Sequence, residues 1–423
     1  MRIVFFTDTY WPQINGVSEN IDTLKHELEK VGHTVYIVAP KSPGYKDENA
    51  RVFRLSGVRI VKNPEQRMII PIPQKDLRAL FRHKFDLVHI HTLGTAGFLG
   101  LEVAQLKDIP SVVTYHTLLN RYSHYFMKGK IIRPKVAEIG SKIFCNLADL
   151  IIAPTKRVKE ELLSYGVKKD VLVIPGGIDL DRFKKTEPGF LRKILGLSQD
   201  KKIILYLGRL GKEKNIDFII KSLKDILNDK EDVYLAIVGD GPERENLEKL
   251  AQDYGIEKKV LFTGFISRKN VPKVYSDSDI FVFASTTETQ GLTVPEAMAV
   301  GLPVVVMKDP AFEEVVIDGK TGLVSDAKEA DFATKVLILL EDENIGKKLK
   351  EEGKDFVKTH FSSEAQAKNA LKAYEKAEII NARKKKVRRI LKNRLDLVAD
   401  FLKINVAFAK FKEAMKFLEY EPN

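Results

Sequence analysis

The sequence predicts an α/β protein made of two successive Rossmann-like, doubly wound domains, each with a parallel sheet covered by helices on both faces. Short apolar runs rich in valine and isoleucine alternate with amphipathic stretches along most of the chain. Such runs are typical of parallel strands that are buried on both sides. The chain has 423 residues, which predicts two domains of roughly 180 residues each rather than one.

The apolar runs fall into two sets, and each set predicts one parallel sheet. In the first half the strand candidates are Ile3–Phe6, Val35–Ala39, Leu87–Ile90, Ser111–Tyr115, Leu150–Ala153 and Val171–Ile174. In the second half they are Ile203–Leu207, Tyr234–Val238, Val260–Thr263, Ile280–Ala284 and Val304–Val306. After about residue 325 the pattern is helical to the C-terminus, with a break near THFSSEA.

A domain boundary is expected within 175–190, where PGGIDLDRFKKTEPGF interrupts the alternation with glycine, proline and charge. We therefore predict a first domain over 1–185 and a second over 186–360. A helix over 361–382 is expected to cross back to the first domain, followed by a tail over 383–423. Open α/β sheets bind ligands beyond the carboxyl ends of their strands, so two such domains face to face predict a site in an interdomain cleft.

The composition predicts neither disulfides nor membrane spans. One cysteine, Cys145, excludes an intramolecular disulfide framework. No apolar run reaches the ~18 residues of a membrane span. MRIVFFTDTYWP enters a strand directly, without the pattern of a signal peptide. We therefore expect a cytoplasmic protein.

The first loop that could bind a ligand is TDTYWPQINGVSENI, in which Gly16 comes just before an amphipathic helix. A glycine at this point lets backbone N–H groups approach an anion at the helix N-terminus. A flexible turn would use the same residue, so Gly16 alone leaves both interpretations open.

Three histidines lie in or just after predicted strands of the first half. His116, in TYHTLLNRYSHY, is either a catalytic residue or an ordinary loop residue. His89 and His91 point to the same face of one strand, as a metal pair would. No nearby cysteine or acid completes a ligand set, so we expect no metal site.

The loop YLGRLGKEKN carries Arg209 and Lys214 from a strand end into the next helix. A guanidinium and an ammonium five residues apart are suited to hold a diphosphate from two sides. An anion between them would also offset their unfavourable interaction with the helix dipole. The alternative is a solvated charged turn.

A partial glycine fingerprint lies in IVGDGPERENL, which includes Gly239. The third glycine of a dinucleotide-binding motif is absent, and no simple acidic residue follows the next strand. A dehydrogenase is therefore poorly supported.

The stretch TETQGLTVPEAMAVGLPVVV covers residues 287–306. Glu288 precedes a turn at Gly291, and Glu296 lies one turn into the helix that follows. The amides of such a turn suit phosphate, and carboxylates suit sugar hydroxyls. Together these parts predict a nucleotide-sugar site.

The loops share one feature, a chemically useful residue after its own strand. In chain order these residues are Gly16, His116, Arg209, Lys214, Glu288 and Glu296. With these residues in this order, the chain resembles the retaining glycosyltransferases of family 4, which have the GT-B fold, over residues 1 to about 380. The resemblance implies a C-terminal domain that binds the nucleotide sugar, an N-terminal domain that binds the acceptor, and domain closure that excludes water.

The resemblance also implies a role for each residue. The phosphates would be met by the side chains of Arg209 and Lys214, by the amides of Gly291, Leu292 and Thr293, and, after closure, by the loop at Gly16. Glu288 and His116 would contact the transferred sugar, and Glu296 would hold the ribose hydroxyls. Gly239 and Ile266 would complete the nucleotide site.

The family retains the anomeric configuration of the sugar. Because no carboxylate here is an obvious nucleophile on the opposite face, we expect same-face attack, in which a departing phosphate oxygen takes the acceptor's proton. Stabilising the leaving diphosphate is then the main electrostatic task. Two cations and helix ends are able to do this, so no cofactor is required; magnesium is compatible with the chemistry but not implied.

Three stretches, FFTDTYWPQINGVSENI, TYHTLLNRYSHYF and TETQGLTVPEAMA, look like the bacterial branch that glucosylates diacylglycerol. Many relatives have an aromatic E-x-F-G motif where this chain has Glu288-Thr289-Gln290-Gly291, and the glutamine is associated with the lipid branch. This resemblance implies UDP-glucose as donor and the 3-hydroxyl of 1,2-diacylglycerol as acceptor. The alternative is another acceptor, such as glucosyl diacylglycerol, a phosphoinositide or a soluble sugar.

The tail is strongly basic. Residues 383–394 carry eight Lys or Arg and no acid, and twelve bases against five acids from 383 onward give +7 of the net charge of +12. Apolar residues recur there at three-four spacing, which predicts an amphipathic helix. They are Val387, Ile390, Leu397, Phe401, Ile404, Phe408, Phe411, Met415 and Leu418.

Three interpretations of this helix stay open: packing on the first domain, binding to an anionic membrane surface, or forming a dimer seam. Basic residues near an anionic bilayer contribute about 1 kcal/mol each, which is enough for reversible, peripheral binding to the inner face of the cell membrane. A basic tail also suits nucleic acid. The predicted enzyme site makes a nucleic-acid-binding protein the remote alternative, and no nucleic-acid partner is expected.

Overall fold

The computed structural model describes residues 1–391 except 14, 48, 61–62, 71–73, 117–133, 185 and 287. The chain divides into two compact units. The first unit is formed by Met1–Ile174 together with the chain from Ala367 onward, and the second unit by Pro175–Gln366.

The first unit contains a seven-stranded sheet and a separate hairpin. Its strands are β1 (Arg2–Phe6), β2 (Thr34–Pro40), β3 (Val52–Leu55), β4 (Gly57–Ile60), β5 (Asn63–Ile69), β6 (Leu87–Ile90), β7 (Ser111–Thr114), β8 (Leu150–Ala153) and β9 (Val171–Val173). The sheet order is β3-β2-β1-β6-β7-β8-β9, with all pairs parallel, while β4 and β5 pair antiparallel.

The core of the first unit lies on both faces of this sheet. Its helices within the first 174 residues are α1 (Gly16–Lys30), α2 (Lys75–Arg82), α3 (Thr95–Lys107), α4 (Pro134–Leu147) and α5 (Lys156–Ser164). Val4 and Phe6 of β1 pack with Leu99 of α3 on one face. Ile3 and Phe5 face the other side, because side chains alternate along a strand.

The second unit contains a six-stranded parallel sheet. Its strands are β10 (Lys202–Leu207), β11 (Val233–Val238), β12 (Val260–Gly264), β13 (Ile280–Phe283), β14 (Val304–Met307) and β15 (Leu323–Ser325), in the order β12-β11-β10-β13-β14-β15. Its helices are α6 (Phe190–Leu195), α7 (Ile216–Asp229), α8 (Arg244–Asp253), α9 (Val271–Ser276), α10 (Thr293–Val300), α11 (Glu329–Glu341) and α12 (Glu343–His360).

The last described helix, α13 (Ser363–Leu391), returns the chain to the first unit. Its small residues Ala370 and Ala377, with Tyr374 between them, join the core on the Ile3 face. Further along, Lys384 pairs with Asp149, and Lys385 Nζ lies 3.4 Å from Asp108 Oδ2. Part of the basic run therefore pairs with acids of the first unit.

All eleven predicted strands are present, and the predicted two-sheet, doubly wound architecture is confirmed. Strands β3 and β15, which lie at sheet edges, and the polar hairpin β4–β5 were not predicted from the sequence. Residues 175–185, expected in the first domain, instead contribute Ile178 and Phe183 to the core of the second unit.

Most of the predicted amphipathic tail, residues 392–423, lies outside the described residues. Across the part of the chain that the structure describes, no helix is both long and apolar enough to cross a membrane.

Candidate active site

In the second unit, three of the candidate residues follow the two strands at which the strand order reverses. β10 and β13 are parallel neighbours, and the chain proceeds outward from them in opposite directions. Arg209 and Lys214 follow β10, whereas Glu288 follows β13. Such a reversal leaves a crevice beyond the carboxyl ends of the two strands, where open α/β sheets bind ligands.

Lys214 and Glu288 form an ion pair between Nζ and Oε1. Their side chains are 16% and 13% exposed, respectively, so the pair is largely shielded from water. Lys214 Nζ also lies 5.8 Å from the centroid of the Phe283 ring, over its face. The predicted diphosphate lysine and the predicted sugar glutamate are therefore direct neighbours.

Arg209 pairs with Glu213, a residue that the sequence analysis missed. The Glu213 side chain is 9% exposed and that of Arg209 is 45% exposed, so a nearly buried carboxylate pairs with Nη2 of a guanidinium that is half exposed to solvent. The backbone of Glu213 also anchors the loop after β13: its carbonyl accepts from Thr286 N at 3.2 Å and Ser285 Oγ at 3.3 Å.

The chain between β10 and α7 differs in detail from the expected helix start. Lys214 ends a short 3₁₀ turn, Lys212–Lys214, and α7 begins only at Ile216. Asn215, with φ of 54°, separates the two. Lys214 is thus displayed by a tight turn rather than by the helix.

Glu296 is held by two residues that the sequence analysis also missed, Arg268 and Tyr275. Arg268 donates to both carboxylate oxygens, with Nη1 at 2.9 Å from Oε2. The Tyr275 hydroxyl lies 3.2 Å from both Oε2 and the Thr293 carbonyl oxygen and shares its proton between them. Glu296 is 2% exposed, so its charge is paired inside the protein. A carboxylate has about four acceptor positions, and therefore retains capacity for a ligand hydroxyl.

The turn before α10 is shaped by Gly291, which has φ of 64°. A Cβ there would lie 2.6 Å from Cε1 of Phe312, so glycine is required for both conformation and space. Thr293 is the first residue of α10, and its Oγ1 is buried with no hydrogen-bond partner among the described residues. A buried hydroxyl of this kind at a helix N-terminus is suited to an anion's oxygens.

Gln290 binds the backbone of the segment that opens the second unit. Its Oε1 accepts from Gly176 N at 2.9 Å and its Nε2 donates to Gly176 O at 3.3 Å. Gln290 is 8% exposed, and the two bonds fix the turn between Glu288 and Gly291. An aromatic residue at this position would make neither bond.

In the first unit, His116 lies beside His91 and His89. His116 Nε2 is 3.1 Å from His91 Nδ1. Both nitrogens of His89 are engaged, Nδ1 with the Tyr374 hydroxyl at 2.8 Å and Nε2 with the Thr114 hydroxyl at 2.7 Å. Among the described residues no group of three or more metal-ligating side chains occurs.

Burial keeps these histidines neutral. It lowers the pKa of His89 to about 3 and that of His116 to about 4. The pKa of His91 falls well below its usual value, mainly through burial and then through the two neighbouring rings.

Two family models match this chain, "Glycosyl transferases group 1" over residues 189–356 and "Glycosyltransferase Family 4" over residues 14–182. It is 36% identical to the alpha-monoglucosyldiacylglycerol synthase of Streptococcus pneumoniae over 328 residues, which covers 76% of this chain and 74% of the relative. Identity to the Acholeplasma laidlawii enzyme of the same name is 33% over 341 residues, covering 78% and 86%. The chain is a family 4 glycosyltransferase.

Solved structures show the fold of this glycosyltransferase. Sucrose-phosphate synthase from Thermosynechococcus elongatus aligns with a TM-score of 0.70 at 23% identity, covering 88% of this chain and 98% of that one. Anabaena HepE in complex with UDP-glucose aligns with a TM-score of 0.69 at 18% identity, covering 89% and 99%. The enzyme has the GT-B fold, and as a group 1 glycosyltransferase it is retaining and depends on a nucleotide sugar.

Gly239 and Ile266, which are predicted to bind the nucleotide, both lie in loops of the second unit. Gly239 has φ of 137°, and a Cβ there would lie 1.9 Å from the carbonyl oxygen of Gly208. Glycine is thus needed for the loops after β10 and β11 to pack, whether or not a ligand binds. Ile266 follows β12 and packs partly buried against the core, next to the exposed Phe265.

Gly16 is the first residue of α1 in the first unit of the enzyme, and a Cβ there would meet no atom within 4 Å. The side chain of Asn15 already accepts from the amides of Val17 and Ser18, both at 3.0 Å. Two of the amides expected to face an anion are therefore capped within the chain.

Proposed function

We propose that this glycosyltransferase moves glucose from UDP-glucose to the 3-hydroxyl of 1,2-diacylglycerol and forms alpha-glucosyl diacylglycerol. The observation that carries the proposal is the likeness, over about three quarters of the chain, to two alpha-monoglucosyldiacylglycerol synthases. The second unit is assigned to the nucleotide sugar and the first unit to the acceptor.

The proposed phosphate contacts are supported by the charge and geometry of the second unit. Arg209 and Lys214 supply two cations at the β10–β13 crevice. The unpaired Thr293 hydroxyl and the glycine turn at Gly291 add neutral donors at the N-terminus of α10. Together they are suited to the charge that develops on a leaving diphosphate. In this proposal Leu292 contributes its amide to the same group.

The proposed sugar contacts use the two carboxylates. Glu288 beside Lys214 accepts from hydroxyls of the transferred glucose. Glu296, fixed by Arg268 and Tyr275, accepts from the ribose hydroxyls. His116 contacts the transferred sugar, while Gly239 and Ile266 border the nucleotide, and Gly16 lets its loop approach the phosphates.

The proposed reaction proceeds by same-face attack. The acceptor hydroxyl forms the new bond to the anomeric carbon as the bond to the diphosphate oxygen breaks, and that oxygen takes the hydroxyl proton. The products are UDP and the glucosylated lipid. Arg209 and Lys214 stabilise the charge on UDP, so a magnesium ion is not assigned a step.

Peripheral membrane binding is part of the proposal because diacylglycerol resides in a bilayer. The basic, apolar-faced tail has the composition of an interfacial helix. Such a helix holds the enzyme reversibly at an anionic surface without crossing it.

The acceptor is tested with the full-length enzyme, labelled UDP-glucose and vesicles or solutions that each contain one acceptor. We expect label on diacylglycerol, and little on glucosyl diacylglycerol, phosphatidylinositol or soluble sugars. Efficient transfer to one of these, with none to diacylglycerol, would overturn the proposal. A phosphoinositide acceptor is included because a 28% identical relative is named a phosphatidylinositol monomannoside mannosyltransferase, from Mycolicibacterium smegmatis.

A further inference from the structure

Three histidines of the first unit, His89, His91 and His116, form a chain that leads from its core to the end of β7. The ring centroids of His89 and His91 are 4.1 Å apart, and those of His91 and His116 are 5.4 Å apart and nearly parallel. His91 is 1% exposed, and Phe5 packs against its ring with centroids 4.7 Å apart. The His91 ring is therefore held by packing on the buried side of His116.

The bond between His91 Nδ1 and His116 Nε2, at 3.1 Å, joins two neutral rings. Burial lowers the pKa of both residues, so both rings are neutral near neutral pH. A neutral imidazole has one N–H and one bare nitrogen. One ring must donate and the other accept, and this choice sets the tautomer of both.

The second nitrogen of His91 decides the direction of the bond. His91 Nε2 is buried and has no hydrogen-bond partner among the described residues. The neighbouring His89 does not serve, because its two nitrogens are bonded to Tyr374 and Thr114. A buried N–H without an acceptor is rarer in proteins than a buried acceptor without a donor. The proton of His91 is therefore placed on Nδ1, which donates to His116.

We propose that His91 is a positioning residue that holds His116 as the tautomer protonated at Nδ1. Because His116 Nε2 accepts from His91, the single proton of neutral His116 must lie on Nδ1. His116 then offers an N–H donor at Nδ1, which suits a sugar hydroxyl, while its bare Nε2 is occupied by His91 and cannot act as a general base. That the donor meets the transferred sugar rests on the proposed function.

Nitrogen-15 NMR of the full-length enzyme, labelled at histidine, reads the tautomer directly. The signals of His116 and His91 are assigned from the spectra of His116→Asn and His91→Asn. We expect a protonated Nδ1 and a bare Nε2 on His116. A bare Nδ1 on His116 would overturn the proposal.

Two substitutions separate hydrogen-bond donation from packing. His91→Asn keeps an amide donor near the Nδ1 position, whereas His91→Leu keeps bulk without a donor. We expect His91→Leu to lower kcat about tenfold, as for loss of one positioned hydrogen bond, with KM for UDP-glucose changed less than threefold. His91→Asn should restore kcat to within about threefold of the native enzyme. His26→Leu, the same change at an exposed position of α1, is the matched control.

Equal losses in His91→Asn and His91→Leu would assign His91 to packing and contradict the proposal, as would an unchanged kcat in His91→Leu. The spectrum needs no acceptor, so the two proposals fail separately. A protonated Nδ1 in an enzyme that does not glucosylate diacylglycerol refutes only the acceptor. A bare Nδ1 in an enzyme that does so refutes only the role of His91.

Discussion

Lys214 Nζ and Glu288 Oε1 form an ion pair that joins the loop after β10 to the loop after β13 in the second unit. The two residues lie 74 positions apart in sequence and meet only because their strands are neighbours. The cation proposed to bind phosphate and the carboxylate proposed to bind sugar are therefore side by side.

Lys214→Ala is expected to lower kcat by about 100-fold or more, because a positioned charge that stabilises a leaving group supplies roughly 3 kcal/mol. Lys212→Ala, an exposed residue of the same 3₁₀ turn, should change kcat less than twofold. Steady-state rates with UDP-glucose measure both, and circular dichroism checks the fold. A Lys214→Ala enzyme within threefold of the native rate would refute the phosphate role.

Glu213→Gln is expected to tighten UDP binding by up to about fivefold. The change removes a carboxylate that competes with phosphate for Arg209, and the half-exposed guanidinium limits the gain to that of a surface ion pair. Titration calorimetry with UDP measures it, with the exposed Glu245→Gln of α8 as the control. Weaker UDP binding would mean that the Glu213 side chain mainly orders the loop.

Arg268→Met is expected to destabilise the second unit by about 3 kcal/mol, because it leaves the buried carboxylate of Glu296 without its cation. Adding Glu296→Gln should recover part of that loss without recovering UDP binding. Chemical denaturation measures stability and calorimetry measures binding. If the double variant binds UDP as the native enzyme does, Glu296 is not the ribose ligand.

The first unit is expected to lose stability as the pH falls from 7 to 5. His89, His91 and His116 have lowered pKa values in the folded protein, whereas in the unfolded chain they take protons below about pH 6.5. Each histidine that stays neutral at pH 5 therefore costs about 2 kcal/mol. Trp11 is the single tryptophan and lies in the first unit, so its fluorescence follows this unfolding.

His89→Asn removes one of these groups and should make the pH dependence shallower. The substitution also removes packing, which lowers the free energy of unfolding at pH 7. The same titration measures this loss separately from the change of that free energy with pH. An identical slope in the variant would contradict the assignment of a buried neutral imidazole at this position.

Deleting residues 392–423 is expected to lower binding to phosphatidylglycerol vesicles. The deletion removes the apolar repeat and spares the pairs of Lys384 and Lys385 with the first unit. Sedimentation with vesicles measures binding. Unchanged sedimentation would favour a packed helix, and a halved molecular mass would identify a dimer seam; either result contradicts the interfacial interpretation.

The parts of this enzyme that local sequence determines were predictable. Valine-rich runs identified the strands, and the reversal of strand order brings together the residues just after β10 and β13 that we propose as the site. Arg209, Lys214, Glu288 and Glu296 were proposed from the sequence because each lies in a loop after a strand or in the first turn of the helix that follows that loop. The polar hairpin β4–β5 has no such apolar signal and was missed.

The partners of these residues were not predictable, because they depend on tertiary neighbours. Arg268 and Tyr275 reach Glu296 from 28 and 21 positions away, and no motif marks them. His91 resembled half of a metal pair until the structure placed His116 beside it, on the neighbouring strand's end. A charged residue after β12 is the one signal that would have singled out Arg268.

The central claim is tested most directly by the structure of the product. The full-length enzyme is incubated with UDP-glucose and vesicles that contain 1,2-diacylglycerol, and the purified lipid is analysed by proton NMR and mass spectrometry. We predict one glucose in α linkage on the 3-hydroxyl of diacylglycerol. A β linkage, or unchanged diacylglycerol in an enzyme that binds UDP, would contradict the account.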